Sequence, residues 1–240
     1  LENSANARLS KFQGGNFVAN VIVTGAFGAL GRAIVADFTR RGHAIAAIDI
    51  APAPTGYQAD IILGGIDLTD QAAVTTAYAQ AAEKLDGIDA LVNVAGGFIW
   101  ETVEAGSVSS WDRMYRMNVL SAFISTHAAL PHLLDGGGAI VNIGAAGSVQ
   151  PTTGFAPYAA SKCGVRALTE SLAEEMRDKG VRVNAILPTI IDTPTNRADM
   201  PDADTSGWVR PDAVAQVIAF LISDAAGSIT GASIPLSLAG

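Results

Sequence analysis

Tyr158-Ala159-Ala160-Ser161-Lys162 sets a phenol and an ammonium four residues apart, which places them on one face of a helix. Such a pair can move a proton. A free tyrosine has a pKa of ~10, and bringing it near neutrality takes ~4 kcal/mol of preference for the phenolate. A cation ~5 Å away at an effective dielectric of ~20 supplies roughly 3 kcal/mol of that. Far upstream, Thr24-Gly25-Ala26-Phe27-Gly28-Ala29-Leu30-Gly31 falls where a β-branched run gives way to a helical pattern, which is where an α/β sheet cradles a pyrophosphate. Gly25 makes the tight turn, Gly28 lets backbone N–H groups approach phosphate, and Gly31 lets helix and strand pack closely. Asp49 ends the next apolar run, 18 residues beyond Gly31. A carboxylate there accepts hydrogen bonds from adenosine ribose hydroxyls and repels a 2′-phosphate, favouring NAD over NADP. Arg32, Arg40 and Arg41 are the nearby cations that would compensate for a phosphate. Taken singly, each feature has a plainer reading: an amphipathic helix, an ordinary strand-to-helix turn, a solvated strand-end acid.

The elements around these residues alternate. Apolar strand patterns span Asn20 to Thr24, Ala44 to Asp49, Ile61 to Leu63, Ile88 to Val94, Ala139 to Ile143, Val181 to Leu187 and Ala232 to Leu236. Between them lie helical patterns over Leu30 to Arg41, Asp70 to Leu85, Trp111 to Leu134, Pro157 to Lys179 and Pro211 to Ser223. Strands apolar on both faces and separated by helices predict α/β architecture, a single doubly wound parallel sheet with helices on both faces. The stretch from Thr189 to Arg210 is rich in Pro and Asp and is expected to stay outside the core as a substrate lid.

Composition narrows the function. The chain has 240 residues, 49% of them apolar, enough for one large core. The formal charge of -8 repels phosphate backbones and anionic membrane surfaces, so neither nucleic acid nor membrane is an expected partner. The lone cysteine, Cys163, cannot form an internal disulfide, no Cys/His zinc spacing occurs and no metal is expected. No apolar run is long enough to span a bilayer, and a cytoplasmic location is expected. Residues 1–16 are read as a leader or expression remnant, and residues 17–240 as one domain.

The ordered set Thr24-Gly25…Gly31, Asp67, Asn93-Val94-Ala95-Gly96, Asn118 and Tyr158…Lys162 resembles the short-chain dehydrogenase/reductase family, over roughly Asn20 to Leu236. The resemblance implies a Rossmann-type sheet, a bound NAD(P), and hydride transfer between nicotinamide and a small carbonyl, hydroxyl or similarly unsaturated substrate. Tyr158 is then the general acid/base. Lys162 holds the nicotinamide ribose and lowers the Tyr158 pKa, while Asn118 anchors a proton-relay water. The implied cofactor groove comprises Gly25, Phe27, Gly28, Leu30, Gly31, Asp49, Asp67, Leu68, Asn93, Ala95 and Gly96, together with Pro188, Ile191 and Thr193 near the carboxamide. A homo-oligomer, a tetramer or else a dimer, is implied through the helices at Trp111 to Leu134 and Pro157 to Lys179.

Three departures stand out. The family's glycine at position 29 is Ala29, with the glycine at Gly28 instead. The Ser usually found thirteen residues before the Tyr is Ala145, and Ser148, Thr152 and Thr153 are nearby hydroxyls in other registers. The Pro-Gly pair after the sixth strand is Pro188-Thr189. The missing Ser, Gly28 to Gly31, Ala95 to Gly97 and the segment Leu187 to Trp208 resemble the dihydropteridine reductase branch, although Asn118 does not. Two alternatives therefore accompany the oxidoreductase reading: NADH-dependent reduction of a quinonoid pterin, and an NAD-binding scaffold or sensor weakened by Ala145. An isomerase or dehydratase recycling bound NAD is suggested only by the glycine spacing. His43, His127 and His132 are expected to be structural or at the surface, Cys163 a buried small hydrophobe, and Trp111 a packing residue. Phe98 and Trp100 either line a substrate pocket or cap the core.

Overall fold

The computed structural model describes residues 12–13 and 16–237. Most of the expected leader lies outside the described residues. Within it, Phe12–Gln13 pairs antiparallel with Asn16–Phe17.

Seven parallel strands form one sheet: β1 (Asn20–Thr24), β2 (Ala44–Ile48), β3 (Ile61–Leu63), β4 (Ala90–Asn93), β5 (Gly138–Ile143), β6 (Val181–Pro188) and β7 (Ser233–Leu236). Their spatial order is β3-β2-β1-β4-β5-β6-β7. Both faces are covered, and the alternation along β1 shows how. Val21 and Val23 pack with α1 (Ala29–Arg40) and α7 (Pro211–Ile222), whereas Ile22 points into the opposite layer with α2 (Gln71–Leu85), α4 (Ser121–Leu133) and α5 (Ala156–Glu175). All three are inaccessible to solvent, and each such side chain contributes about 1.5–3 kcal/mol on burial. The order reverses between β1 and β4, which opens a crevice beyond their carboxyl ends.

Two expectations need correction. The single helix over Trp111 to Leu134 begins earlier, as α3 (Val108–Tyr115), because Ser107 caps it by accepting from the Ser110 N–H at 3.2 Å. It then widens into a π turn at Arg116–Leu120 before α4. A 3.6-residue pattern carries no mark of that insertion, and such turns gather at functional sites. The Thr189 to Arg210 stretch is not wholly outside the core. It contains α6 (Pro194–Asp199), bridges Ile191 to Val209, and buries Trp208 and Val209.

Beneath the carboxyl end of the sheet runs a buried polar ladder. Asn93 Nδ2 donates to Asn142 Oδ1 at 2.9 Å and to Thr126 Oγ1 at 3.2 Å. Asn142 Nδ2 donates to Thr169 Oγ1 at 2.9 Å, and that hydroxyl donates to the Val165 carbonyl at 2.8 Å. The ladder ties β4 and β5 to α4 and α5. Asn142→Ala removes one hydrogen bond from each of two buried partners, so unfolding free energy is expected to fall by about 2–4 kcal/mol, read from the urea midpoint at unchanged m-value. A loss below about 0.5 kcal/mol would mean the ladder is not structural.

Candidate active site

Three glycines shape the loop between β1 and α1, each differently. Gly25 has φ +61°, and a Cβ there would stand 2.8 Å from the Ala95 nitrogen, so the loop lies directly on the end of β4. A Cβ on Gly31 would collide with the Gly25 carbonyl. Gly28 meets nothing nearer than the Gly25 carbonyl at 3.5 Å and caps α1 without any side-chain hydrogen bond. Its open side leaves the first-turn N–H groups of α1 facing the crevice, and that donor set suits a pyrophosphate. Thr24 Oγ1 accepts from the Val94 and Ala95 N–H groups at 3.1 and 3.2 Å, holding the strand end that leads to Gly96.

Asp49 lies at the expected place, with a structural duty the sequence did not reveal. Its Oδ2 accepts from the Phe27 N–H at 2.9 Å and its Oδ1 from the Ala51 N–H at 3.0 Å, pinning the glycine loop to the end of β2. Tyr57, absent from the sequence reading, completes this corner. Its hydroxyl donates to the Ala26 carbonyl at 2.5 Å, its ring meets Phe27 edge-on at 4.9 Å, and the Arg32 guanidinium lies 5.5 Å above it. Burial pushes the Tyr57 phenol up to about 12, with Arg32 opposing. Nothing in the loop's spacing marks Tyr57. Asp67 is exposed, and its Oδ1 accepts from the Thr69 N–H and hydroxyl at 2.8 Å each. The Leu30 and Leu68 side chains belong to the core.

At the reacting end, the first turns of α5 bring Tyr158 and Lys162 together. Lys162 is buried, its Nζ donating to the Ile143 carbonyl at 2.8 Å and standing 6.0 Å from the centre of the Tyr158 ring. A Cβ on Gly96 would be 3.4 Å from that Nζ and 2.5 Å from Asn118 Oδ1, so the missing side chain is what keeps the groove open. Asn118 sits in the π turn with both ends of its carboxamide engaged. Its Oδ1 accepts from the Gly97 N–H at 3.0 Å, while its Nδ2 donates to the Gly97 carbonyl at 3.1 Å and Ser161 Oγ at 2.9 Å. The side chain thus clamps the β4 loop to α5.

The lowering of the Tyr158 pKa expected from Lys162 together with a positive nicotinamide ring is not produced by Lys162 alone. Burial pushes the phenol up to about 12, and burial draws the Lys162 ammonium down to about 8. Burial is the cause of both shifts, and the ammonium is directed at the Ile143 carbonyl.

The Ala145 position holds no hydroxyl, and its neighbours do not replace one. Ser148 Oγ donates to the Ala145 carbonyl at 2.7 Å, and Thr152 and Thr153 are exposed. Pro188 ends β6 beside Leu236, the Ile191 carbonyl accepts from Asn196 Nδ2 at 2.7 Å, and Thr193 Oγ1 caps α6 by accepting from the Asn196 N–H at 3.2 Å. Phe98 and Trp100 do not cap the core; they are 51% and 58% exposed. Cys163 is exposed, not buried, and Trp111 is 44% exposed. Both lie on helix faces turned outward. His43 accepts from the Ala19 N–H through Nδ1 at 3.0 Å and packs on Phe38, a structural role, and burial lowers its pKa. Among the described residues no cluster suits a metal ion, and no helix is long and apolar enough to cross a membrane.

Comparison with known proteins matches residues 19–204 to the family model described as short chain dehydrogenase. A 2,5-dichloro-2,5-cyclohexadiene-1,4-diol dehydrogenase of Sphingobium indicum is 33% identical over 232 residues, covering 90% of this chain and 93% of the relative. The ligand-free aldohexose dehydrogenase of Thermoplasma acidophilum superposes with TM-score 0.83 at 28% identity, covering 92% of each chain. Carveol dehydrogenase from Mycobacterium avium, solved with NAD, gives 0.79 at 26% identity over 91% of this chain and 95% of its own.

The buried lysine leaves a pH signature in stability. Below about pH 8 Lys162 is charged in both folded and unfolded states, and its burial cost is felt in full. Between about 8 and the ordinary 10.5 only the unfolded chain holds the proton, so stability rises with pH, with a slope approaching 1.4 kcal/mol per unit at most, about the value of one proton. Relative to Lys162→Met, the parent is expected to gain stability across that window in urea titrations at stepped pH. A pH-independent difference would show that Lys162 keeps its proton.

Proposed function

Because the chain belongs to the short-chain dehydrogenase family, we propose that it uses NAD rather than NADP to oxidise a small secondary alcohol or reduce its ketone, with Tyr158 as the general acid/base. At the coarser level the chain is a nicotinamide-dependent oxidoreductase acting on small alcohol or carbonyl substrates. The observation that carries the finer reading is the groove at Gly96, where the Lys162 ammonium lies 3.4 Å from the position a Cβ would take, in the crevice that the glycine loop also faces.

In this reading Gly25, Gly28 and the first turn of α1 hold the pyrophosphate, and the Asp49 lone pairs left after its two backbone bonds take the adenosine ribose hydroxyls. Asp67 and the Leu68 backbone meet the adenine. Asn93, Ala95 and Gly96 line the middle of the groove, Lys162 takes the nicotinamide ribose, and Pro188, Ile191 and Thr193 take the carboxamide. When bound, the nicotinamide accepts or returns one hydrogen with its electron pair at the substrate carbon. Tyr158 handles the other hydrogen as a proton on the substrate oxygen. With its pKa at about 12 the phenol is a proton donor at neutrality. To serve as a base it needs added positive charge, which a Lys162 ammonium redirected from Ile143 provides. Asn118 acts as a positioning residue by keeping Gly97 and Ser161 fixed beside this pair.

Ala145 favours a second reading, reduction of a quinonoid pterin, since an imine-like acceptor takes its proton from Tyr158 without another donor. Exposed Trp111, Tyr115 and Phe123 on α3 and α4 support the homo-oligomer expected through those helices.

Tyr158→Phe is expected to lower turnover by ~10²-fold or more with NADH affinity nearly unchanged, measured by steady-state kinetics and NADH fluorescence. Full retention of turnover would remove Tyr158 from the chemistry. Tight NADH binding without turnover of any alcohol, ketone or quinonoid pterin by the parent would instead identify a scaffold. Asp49→Arg should shift the NADH to NADPH ratio of kcat/KM toward NADPH, and an unchanged ratio would contradict the ribose assignment.

A further inference from the structure

Large apolar side chains are exposed on all three loops that follow β4, β5 and β6: Phe98 and Trp100, Val149, and Ile190. Such an accumulation at the mouth of one crevice marks a binding surface. The aromatic part of it is built and held. The Glu101 N–H donates to the Gly154 carbonyl at 3.0 Å, joining the loop after β4 to the loop after β5. Gly154 has φ +81°, and a Cβ there would run into the Trp100 indole, so the backbone lies flush against that ring. Phe98 meets Phe155 edge-on at 5.3 Å and Tyr158 at 4.9 Å. The wall therefore runs unbroken to the reactive phenol.

The loop after β5 is uncharged, since residues 144–155 contain no Asp, Glu, Lys, Arg or His. Glu101 is turned toward the start of α3, its Oε2 accepting from Ser110 Oγ at 2.8 Å. Asp192 and Arg197 satisfy each other through two hydrogen bonds of 2.5 and 2.8 Å. At the Ala145 position a methyl stands in place of a hydroxyl. An ionic substrate finds no counter-charge on the loop after β5, whose exposed polar side chains are the uncharged Gln150, Thr152 and Thr153.

Resting on the oxidoreductase reading, we propose that Phe98, Trp100 and Phe155 select a neutral, apolar ring substrate: an alicyclic secondary alcohol or the matching ring ketone, with its oxygen at Tyr158. The ring covers aromatic surface that is otherwise in water, and a flat rigid body does so with little entropy to lose. Oxidation of such an alcohol sends one carbon-bound hydrogen and its electron pair to NAD+, and the hydroxyl proton through Tyr158 to solvent.

The test compares 2-decalol, butane-2,3-diol and a quinonoid dihydropterin as substrates, and follows tryptophan emission as 2-decalone is added to the NAD+-loaded protein, where no reaction can occur. The expected result is a kcat/KM for 2-decalol at least tenfold above the diol and the pterin. 2-Decalone should change the emission of the parent but not of Trp100→Phe. Trp100→Ala should raise KM for 2-decalol at least tenfold with kcat changed less and NADH affinity intact. Equal or better kcat/KM for the diol or the pterin overturns the inference while leaving the oxidoreductase reading standing. So does a Trp100→Ala variant that changes oligomeric state on gel filtration but not KM. No turnover of any compound, with 2-decalone still altering Trp100 emission, removes the oxidoreductase reading and supports the ring site.

Discussion

The Lys162 ammonium is buried against the Ile143 carbonyl, under the groove that Gly96 leaves open and beside the Tyr158 ring. A charge in that position is costly, and the surrounding structure is arranged to keep it there. β5 supplies the carbonyl, α5 supplies both the lysine and the tyrosine, and the π turn aims Asn118 so that Gly97 and Ser161 are locked on either side. Burial lowers the lysine to about 8 and raises the phenol to about 12. In the free protein the Tyr158 phenol thus keeps its proton at neutrality.

The far end of the crevice follows a different logic. Its glycine loop is held by main-chain contacts that tolerate no Cβ at Gly25 or Gly31, and by Asp49, whose carboxylate bonds Phe27 and Ala51. One acid therefore ties the glycine loop to the end of β2. The Tyr57 and Arg32 pair packs behind it, Tyr57 donating to the Ala26 carbonyl of the same loop.

At the mouth of the crevice the chain departs from the family pattern at Ala145. Ala145 removes a hydrogen-bond donor, Ser148 turns its hydroxyl back to the Ala145 carbonyl, and aromatic rings face the opening. A methyl in place of a hydroxyl and exposed aromatic area beside it both suit a substrate with little charge to satisfy.

The strand runs and helical periods were sufficient to define a doubly wound parallel sheet, because strands buried on both faces must be apolar throughout and helices covering them must be apolar on one side. The glycine spacing, Asp49 and the Tyr158–Lys162 pair were legible for a similar reason: each depends on residue type at short range along the chain. Contacts between distant segments left no such trace. The dual role of Asp49, the place of Tyr57, the π turn at Asn118, the burial of Trp208 and the exposure of Cys163 and Trp111 depend on which surfaces meet after folding. The acidity of Tyr158 is the clearest case. Sequence spacing placed a cation one helical turn away, whereas solvent exclusion, which exists only in three dimensions, sets the direction of the shift in the free chain.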